Sequence, residues 1–338
     1  ASGRPPAWVR QFRPLLQRAR ALLGPLTIRR QAPAFLHALR EFQPDLVHAL
    51  RIPFEGMLAA YTPPEIPFAV FIWGNDLTLH APSSPLLSAA TRRVLARADG
   101  LMADAARDLR LAHQWGLLEN VPVEEVPSSG GLDMAEINAL LASPPPAPDW
   151  LPKGRTLILN PRGIRPAYVR QEEFFKAAAL AVAERPDLYF LCAAMHGQPQ
   201  AETWLREYHL EEHARLLPLM EQHELWALAA RCRASVSLAI HDGTPNTLLE
   251  SMACGCLPIA GDIESLREWI EPDANGLLVD PYDPAQAAKA ILRAAGDDAL
   301  LAQARQRNRA ILEERADMRA VSRKIAAFYE LVVEKKKT

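Results

Sequence analysis

Residues 235–262 hold the side chains best suited to chemistry in this chain of 338 residues. The stretch reads SVSLAIHDGTPNTLLESMACGCLPIAGD and carries two carboxylates, Asp242 and Glu250. Thr244 and Pro245, which lie between them, fit the N-cap and the first residue of a helix. A helix start presents backbone N–H groups without partners in the helix, and such groups bind anions. The stretch is therefore a candidate anion-binding site flanked by two acids.

A diphosphate with hydroxyl groups on either side would suit this arrangement. The amides of Asn246, Thr247 and Leu248 would bind the diphosphate. Asp242, in the loop before the helix, could bind the hydroxyls of a sugar. Glu250, in the second helical turn, could bind hydroxyls of the group that carries the diphosphate. Two carboxylates at this interval also occur in ordinary strand–helix–strand units with both acids in solvent, so the spacing alone leaves both interpretations open.

Parallel α/β elements must position these residues. A buried strand over 235–240 precedes the helix, a second strand follows over 257–260, and Gly255 fits the residue that terminates the helix. In α/β proteins, ligands bind at the carboxyl ends of parallel strands. The predicted helix starts at such an end.

The same alternation of short apolar runs and helical patterns continues through both halves of the chain. The predicted strands are 45–49, 68–73, 156–160, 188–193, 235–240, 257–260 and 276–279. The predicted helices include 85–98, 104–115, 171–184 and 224–232. Between the halves, SPPPAPDWLP at 143–152 is typical of a semi-rigid linker. Two α/β domains joined by a linker predict a cleft, where ligands usually bind.

The bulk composition excludes several classes of protein. The formal net charge of −2 gives no reason to expect a nucleic-acid partner. No apolar run approaches the roughly 20 residues that span a bilayer. The four cysteines lie in apolar stretches without a CxxC pair, so we expect buried, reduced thiols, as in the cytoplasm. No metal site is predicted.

The segment HDGTPNTLLESMACG at 241–255 closely resembles the donor-binding signature of glycosyltransferase family 4, E-G-x-P-x-x-x-L-E-A-M-A-x-G-x-P. DIESLREWI at 262–270, NGLLVDPYDPAQAAKAIL at 275–292 and FYELV at 328–332 resemble the family's downstream run. The resemblance extends over about residues 45–335. It implies the α/β fold called GT-B: two Rossmann-like domains facing across a cleft, with the last helix crossing back onto the first domain.

The resemblance also implies roles for the residues of the signature. Asp242 matches the first acidic position, which faces the donor sugar, and Glu250 matches the second, which binds the ribose hydroxyls. The remaining donor-binding positions are Gly243, Thr244, Asn246, Thr247 and Leu248. Asp stands at 242 where the family usually has Glu, which shortens the side chain by one methylene. The identity of the sugar therefore stays open.

The departing diphosphate needs positive charge, and without a metal ion Arg or Lys must supply it. The family places an Arg after the first strand of the second domain and a Lys a few residues later. Arg162 matches the first position, and Arg170 aligns best with the second, with Arg165 as a competitor. Gly197 matches the glycine of a turn near the nucleotide. The neighbouring His196 fits a plain loop histidine equally well.

The first half of the chain matches the family less closely. FAVFIWGNDLTL at 68–79 resembles an acceptor-domain strand and its loop. Gly74, which permits close backbone approach, and Asp76, which could bind hydroxyls, are predicted on the acceptor side. Trp73 stands where His is common. The strand and Gly-rich loop that open the family's first domain are not found ahead of residue 44, which predicts that an N-terminal piece is absent or that the domain is reduced.

The opening of the chain is basic. No acidic residue precedes Glu41. The arginines in this stretch are Arg4, Arg10, Arg13, Arg18, Arg20, Arg29, Arg30 and Arg40. Residues 7–23 mix apolar and basic positions and could lie on an anionic membrane surface, which would suit a lipid-linked acceptor. A helix with acidic partners elsewhere in the fold explains the same pattern. The prediction is a cytoplasmic protein with peripheral contact to the inner membrane face as an option.

The resemblance implies a retaining glycosyltransferase that needs neither cofactor nor metal. It would move a sugar from a nucleoside diphosphate sugar to a hydroxyl of a sugar, lipid-linked or small-molecule acceptor. The predicted parts are an acceptor-side domain (1–142), a linker (143–152), a donor-binding domain (153–315) and a crossing helix (316–338). Two alternatives remain: another GT-B reaction such as nucleotide-sugar epimerisation, and a non-catalytic nucleotide-sugar-binding or assembly domain.

Overall fold

The computed structural model describes residues 7–127, 129–165 and 168–337, with side chains from residue 24 onward except at 337. The chain separates into two compact units. One comprises residues 1–125 and 324–338, and the other comprises residues 126–323. Both units are built of parallel strands and helices, as the apolar patterns predicted.

The first unit is built on a four-stranded parallel sheet in the order β1-β2-β3-β4. Its elements are α1 (Ala7–Phe42), β1 (Val47–Ala49), α2 (Met57–Ala59), β2 (Phe68–Ile72), α3 (Pro85–Arg97), β3 (Gly100–Ala103), α4 (Ala106–Trp115) and β4 (Val123–Glu125). Short helical turns at Ile52–Gly56, Asp76–His80 and Ala81–Ser83 fill the loops after β1 and β2. From residue 7 to residue 46 the described chain contains no strand.

The second unit is a doubly wound sheet of six parallel strands in the order β10-β9-β8-β5-β6-β7. Its elements are α5 (Met134–Ala142), β5 (Thr156–Asn160), α6 (Gln171–Glu184), β6 (Leu188–Cys192), α7 (Pro199–Glu207), β7 (Ala214–Leu216), α8 (Gln222–Ala229), β8 (Ala234–Ser237), α9 (Asn246–Ala253), β9 (Leu257–Gly261), α10 (Glu264–Arg267), β10 (Leu277–Val279), α11 (Pro284–Gly296), α12 (Asp298–Arg315) and α13 (Met318–Lys337). The strand order reverses between β5 and β8, and such a reversal opens a crevice at the carboxyl ends of the two strands.

Helices cover both faces of this second sheet, which explains why its strands are apolar almost throughout. On one face, Phe174 and Phe175 of α6 pack with α7, α11 and the sheet. On the other face, Leu249 and Met252 of α9 pack with α5, α8 and α12. The core therefore holds β5, β8 and the start of α9 in fixed positions, and these elements carry the residues singled out by the sequence.

The boundary between the units differs from the Pro-rich segment at 143–152. The chain passes into the second unit at Val126, because α5 buries Met134 and Ile137 in that unit's core. The Pro-rich segment is an extended connection inside the second unit. Trp150, which lies within it, is covered by the guanidinium of Arg215 at 4.4 Å. The prolines predicted correctly that this segment forms neither a helix nor a strand. The boundary between the units depends instead on the burial of apolar side chains of α5.

Helix α13 starts in the second unit and belongs to the first unit from Lys324 onward. Val332 is fully buried against Gly100, where a side chain on Gly100 would collide with it. Lys336 Nζ lies 2.7 Å from Asp99 Oδ1, and the Tyr329 hydroxyl lies 2.9 Å from His48 Nδ1. The predicted return of the last helix to the first domain is confirmed.

Candidate active site

The loops after β5 and β8 bring Arg162 and Asp242 together where the strand order reverses. Arg162 Nη1 lies 2.9 Å from Asp242 Oδ2, and the two side chains are only 10% and 16% exposed. The contact balances charge without the alignment of a hydrogen bond. Neither Arg162 Nε nor Asp242 Oδ2 has a hydrogen-bond partner among the described residues. Both groups therefore keep hydrogen-bonding capacity for a ligand.

The Arg162 loop is held by two buried amide side chains, Asn160 and Gln171. Asn160 Nδ2 donates to Gln171 Oε1 at 2.7 Å, and Asn160 Oδ1 accepts from the Arg162 amide at 3.1 Å. Gln171 Nε2 donates to the carbonyls of Arg162 at 2.7 Å and Gly163 at 3.1 Å. Sequence reasoning missed this pair. The available signals were a polar residue ending the apolar run TLILN and a glutamine at the start of the next helix.

The loop that carries Asp242 is fixed by hydrogen bonds within the protein. Asp242 Oδ1 accepts from the Gly243 amide at 3.1 Å, and the Asp242 carbonyl accepts from Ser265 Oγ at 2.8 Å. Thr244 is buried, and its Oγ1 accepts from Trp269 Nε1 at 2.8 Å. The Gly243 amide and the Thr244 hydroxyl, both predicted to bind the donor, thus have internal partners and shape the loop.

Helix α9 starts one residue later than the sequence predicted. Pro245, with ψ of 125°, is the N-cap and Asn246 the first helical residue, because the Thr244 side chain turns inward to Trp269 and cannot cap. The Leu248 amide donates to the Pro245 carbonyl at 3.0 Å. The amides of Asn246 and Thr247 have no acceptor in the described chain. The anion site therefore offers two open amides, not three.

Glu250 lies in the second turn of α9, half-buried next to α8. Gln222 Nε2 donates to Glu250 Oε1 at 2.5 Å. Burial raises the pKa of Glu250, and the hydrogen bond from Gln222 opposes that shift. The Trp226 indole also lies beside the carboxylate, although its nitrogen is not aligned for a hydrogen bond. The structure shows a hydrogen bond to one Glu250 oxygen, Oε1, and the predicted binding of hydroxyl groups by this residue stays a prediction.

Comparison with known proteins agrees with this geometry. Residues 151–311 match the family model described as "Glycosyl transferases group 1", and residues 2–128 match the "Glycosyl transferase 4-like domain". Each half of the chain thus matches a glycosyltransferase domain family. A similar curated protein is the D-inositol 3-phosphate glycosyltransferase of Thermobispora bispora, 32% identical over 139 residues. The match covers 38% of this chain and about a third, 32%, of that protein's length.

Solved structures share the fold over most of the chain. Sucrose-phosphate synthase from Thermosynechococcus elongatus superposes with a TM-score of 0.73 at 16% identity, covering 92% of this chain and 79% of that one. HepE from Anabaena in complex with UDP gives 0.69 at 16% identity, covering 88% and 81%. The UDP-forming trehalose-phosphate synthase from Burkholderia xenovorans gives 0.70 at 15% identity, covering 92% and 79%.

The second predicted cation, Arg170, lies beside the Asp242 loop without a described contact to it. Its amide donates to the Leu238 carbonyl at 2.9 Å, next to the segment that leads to Asp242. Its guanidinium pairs with Glu173 at 2.9 Å and lies 4.8 Å from the centre of the Tyr282 ring. The competitor Arg165 is exposed. The structure thus brings Arg162 and Asp242 into contact and places Arg170 on the neighbouring segment.

The loop after β6 carries Gly197 next to the Arg162 loop. Gly197 adopts a φ of +71°, with open space where a side chain would project. A β-carbon on Gly163 would lie 3.4 Å from Ala194, so the loops after β5 and β6 are neighbours. His196 is exposed, and its amide donates to the Leu217 carbonyl. The glycine turn is present, and the hydrogen bond described for His196 is one of its backbone.

In the first unit, Gly74 and Asp76 organise the loops after β1 and β2. The Gly74 carbonyl accepts from Arg107 Nη2 at 2.9 Å. Asp76 is only 3% exposed, and its Oδ2 accepts from the amides of Ile52 at 2.9 Å and Trp73 at 3.4 Å. Burial raises the pKa of Asp76 to about 7. These contacts give both residues a structural role, because the loop turns the Asp76 carboxylate inward, and their position on the acceptor side stays a prediction.

Metal-binding groups and membrane-spanning helices concern the whole described part of the chain, residues 7–127, 129–165 and 168–337. No group of three or more His, Cys, Asp and Glu side chains in this part of the chain could hold a metal ion. No helix in it is long and apolar enough to cross a membrane. The four cysteines are buried, as predicted, and burial raises their thiol pKa values.

Proposed function

We propose that this GT-B glycosyltransferase transfers a sugar from a nucleoside diphosphate sugar with retention of anomeric configuration. The acceptor would be a hydroxyl of a sugar, a lipid-linked or a small-molecule substrate. The observation that carries this proposal is the contact between Arg162 and Asp242 at the carboxyl ends of β5 and β8. The two groups have opposite charge, are largely shielded from solvent, and retain unused hydrogen-bonding atoms.

The donor would divide its contacts between these groups. Its diphosphate would draw the Arg162 guanidinium away from Asp242, since a diphosphate carries more charge and accepts bidentate hydrogen bonds from Arg. The amides of Asn246 and Thr247 would bind the same diphosphate. Asp242, released from Arg162, would accept hydrogen bonds from the sugar hydroxyls, and Glu250 would accept them from the ribose.

Charge on the leaving diphosphate would be stabilised by the protein alone in this proposal, without cofactor or metal. Arg162 would supply one positive charge, and Arg170 a second after exchanging Glu173 for the phosphate. Retention would follow if the departing phosphate takes the proton of the acceptor hydroxyl on the same face of the sugar. UDP is the first nucleotide to test, because HepE of Anabaena, which shares the fold, was solved with UDP and with UDP-glucose.

Calorimetric titration with UDP, GDP and ADP, each with and without magnesium, tests the proposal. We expect one nucleotide to bind equally well without magnesium. Glu250→Ala should lower the affinity for that nucleotide roughly tenfold or more, because hydrogen bonds to charged groups contribute about 1.5–3 kcal/mol. Glu207→Ala, which removes an exposed glutamate of α7, is the matched control and should bind like the wild type.

The outcomes separate the competing functions. If no nucleotide binds the folded protein, the catalytic proposal fails. If nucleotide sugar binds but is neither consumed nor transferred, a non-catalytic binding domain is the better description. Release of nucleoside diphosphate without a glycosylated product would favour epimerisation.

We also propose that the protein works in the cytoplasm, with peripheral contact to the inner membrane face through its basic N-terminal residues. The side chains of residues 7–23, on which the sequence argument for that contact rests, lie outside the described part of the structure. The described end of α1 adds Arg29 and Arg30, both exposed, and these can be examined directly.

A further inference from the structure

An open groove lies between α1, α2 and α3 in the first unit. Its walls are mainly apolar. Leu26 and Ile28 of α1 face Met57, Leu86 and Val94 across it. Leu26 is 52% exposed and Leu86 39% exposed, which is a high exposure for leucines that share one depression. The groove is therefore an apolar surface on the first unit, separate from the residues assigned to the donor.

Among the described residues, the charged ones that line the groove are two arginines, Arg29 and Arg93. Both are exposed, and neither forms an ion pair with a described carboxylate. Arg93 lies 4.3 Å from the centre of the Tyr61 ring and donates to the Tyr61 hydroxyl at 3.2 Å. The rim thus combines unpaired positive charge with a tyrosine whose ring is apolar and whose hydroxyl is polar.

We propose that this groove binds an anionic phospholipid of a membrane surface. The groove has apolar walls below two guanidinium groups that form no ion pair with a described carboxylate. A phospholipid has the same order, with an acyl chain below a phosphate. A soluble phosphate is a weaker match, because it would leave Leu26 and Leu86 in water. An uncharged lipid is also a weaker match, because it would leave Arg29 and Arg93 without an anionic partner. The acid-free composition of the chain before Glu41 extends the positive charge along the same helix and favours an anionic bilayer.

The lipid would make three kinds of contact with the groove. The Arg29 and Arg93 guanidinium groups would donate hydrogen bonds to the lipid phosphate. The upper acyl carbons would cover Leu26 and Leu86 and remove them from water. Tyr61 would lie at the boundary between chain and headgroup, the position that tyrosine favours at membrane surfaces.

Sedimentation of the full chain with vesicles tests the proposal. One vesicle set is phosphatidylcholine alone, and the other contains roughly 30% phosphatidylglycerol, an anionic lipid. We expect binding to the anionic set only. Arg29→Gln/Arg93→Gln should lower partitioning roughly thirtyfold, since each basic side chain near an anionic surface contributes about a fivefold factor. Leu26→Asp should also lower partitioning, because it removes an apolar side chain from the groove. The leucine is exposed, so its loss leaves the core intact.

Matched controls and competitors make the test specific. Arg206→Gln/Arg323→Gln removes the same charge from exposed positions of the second unit and should sediment like the wild type. Short-chain dihexanoylphosphatidylglycerol should compete with the vesicles, whereas inorganic phosphate at the same ionic strength should not. Nucleotide binding by each variant, measured by calorimetry, should be unchanged, which separates this site from the donor site.

Several results would overturn the proposal. One is equal sedimentation of the groove variants and their matched control. Another is equal binding to neutral and anionic vesicles. Competition by inorganic phosphate alone would indicate a phosphate site without a lipid chain. A dimer that Leu26→Asp dissociates, in a protein that binds no vesicles, would assign the groove to a second copy of the chain.

Discussion

At the scale of single residues, the ion pair between Arg162 and Asp242 would stand in for the donor contacts proposed above. Each group would be costly to leave alone in a site where both side chains are largely buried. In the structure each neutralises the other at 2.9 Å, without the alignment that would make the contact a strong hydrogen bond. Such a pair is well suited to open when a diphosphate arrives.

A first prediction concerns Arg162. Arg162→Ala should lower the affinity for a nucleoside diphosphate at least tenfold, because the guanidinium would contact the outer phosphate. The affinity for the corresponding monophosphate should fall much less. Calorimetric titration with both nucleotides measures the difference. Arg206→Ala, at an exposed position of α7, should leave both affinities unchanged. Equal loss for the two nucleotides would show that Arg162 supports the fold of the site and not the outer phosphate.

At the scale of elements, the first turn of α6 positions the Arg162 loop. Gln171 is 3% exposed and joins the Asn160 side chain to the carbonyls of Arg162 and Gly163. Since buried polar groups need partners, this bridge fixes where the loop leaves β5. Gln171 is therefore a positioning residue, and it acts on a ligand only through Arg162.

A second prediction tests that positioning role. Gln171→Leu should lower the free energy of unfolding by about 1–3 kcal/mol, because the Asn160 amide and two carbonyls lose their partner. It should also weaken diphosphate binding more than monophosphate binding, as Arg162→Ala does. Chemical denaturation and calorimetry measure the two effects. Gln200→Leu, on the exposed start of α7, should change neither. Loss of stability with unchanged diphosphate selectivity would contradict the positioning role.

At the scale of the whole molecule, a buried carboxylate makes stability depend on pH. Asp76 ties the loops after β1 and β2 by accepting from two backbone amides. Its pKa of about 7 in the folded chain lies above the ordinary value of 3.8. The folded state therefore holds this proton more tightly than the unfolded state. Its stabilising effect is full below pH 3.8 and is lost as the pH rises towards 7.

A third prediction follows from the loss of this stabilising effect at higher pH. Asp76→Asn keeps an acceptor oxygen but cannot ionise. Its free energy of unfolding should therefore increase relative to that of the wild type as the pH rises. Between pH 5 and pH 8 the gain should be about 2–3 kcal/mol. Denaturant unfolding at both pH values measures it. Asp149→Asn, at an exposed position, should show no such change. A constant difference between Asp76→Asn and wild type would mean that Asp76 stays ionised when buried.

The α/β architecture could be predicted from the sequence because parallel strands covered on both faces must be apolar runs. The run at Thr156–Asn160 and the helix at Gln171–Glu184 agree with the predicted bounds. Boundaries that depend on side-chain direction were less accurate. Thr244 had the right chemistry for an N-cap, but its hydroxyl accepts from Trp269, a residue 25 positions away, so Pro245 takes that place.

The sequence by itself determined the α/β class and the elements, because these depend on local periodicity, and it supplied the candidate residues of the donor signature through resemblance to a known family. Only the tertiary structure decided which of them meet. Arg162 and Asp242 are far apart in the chain, and the reversal of strand order between β5 and β8 brings them into contact. Likewise the inward turn of Asp76, the bridge through Gln171 and the end of the first unit at Glu125 depend on packing between distant segments, which a linear pattern does not record.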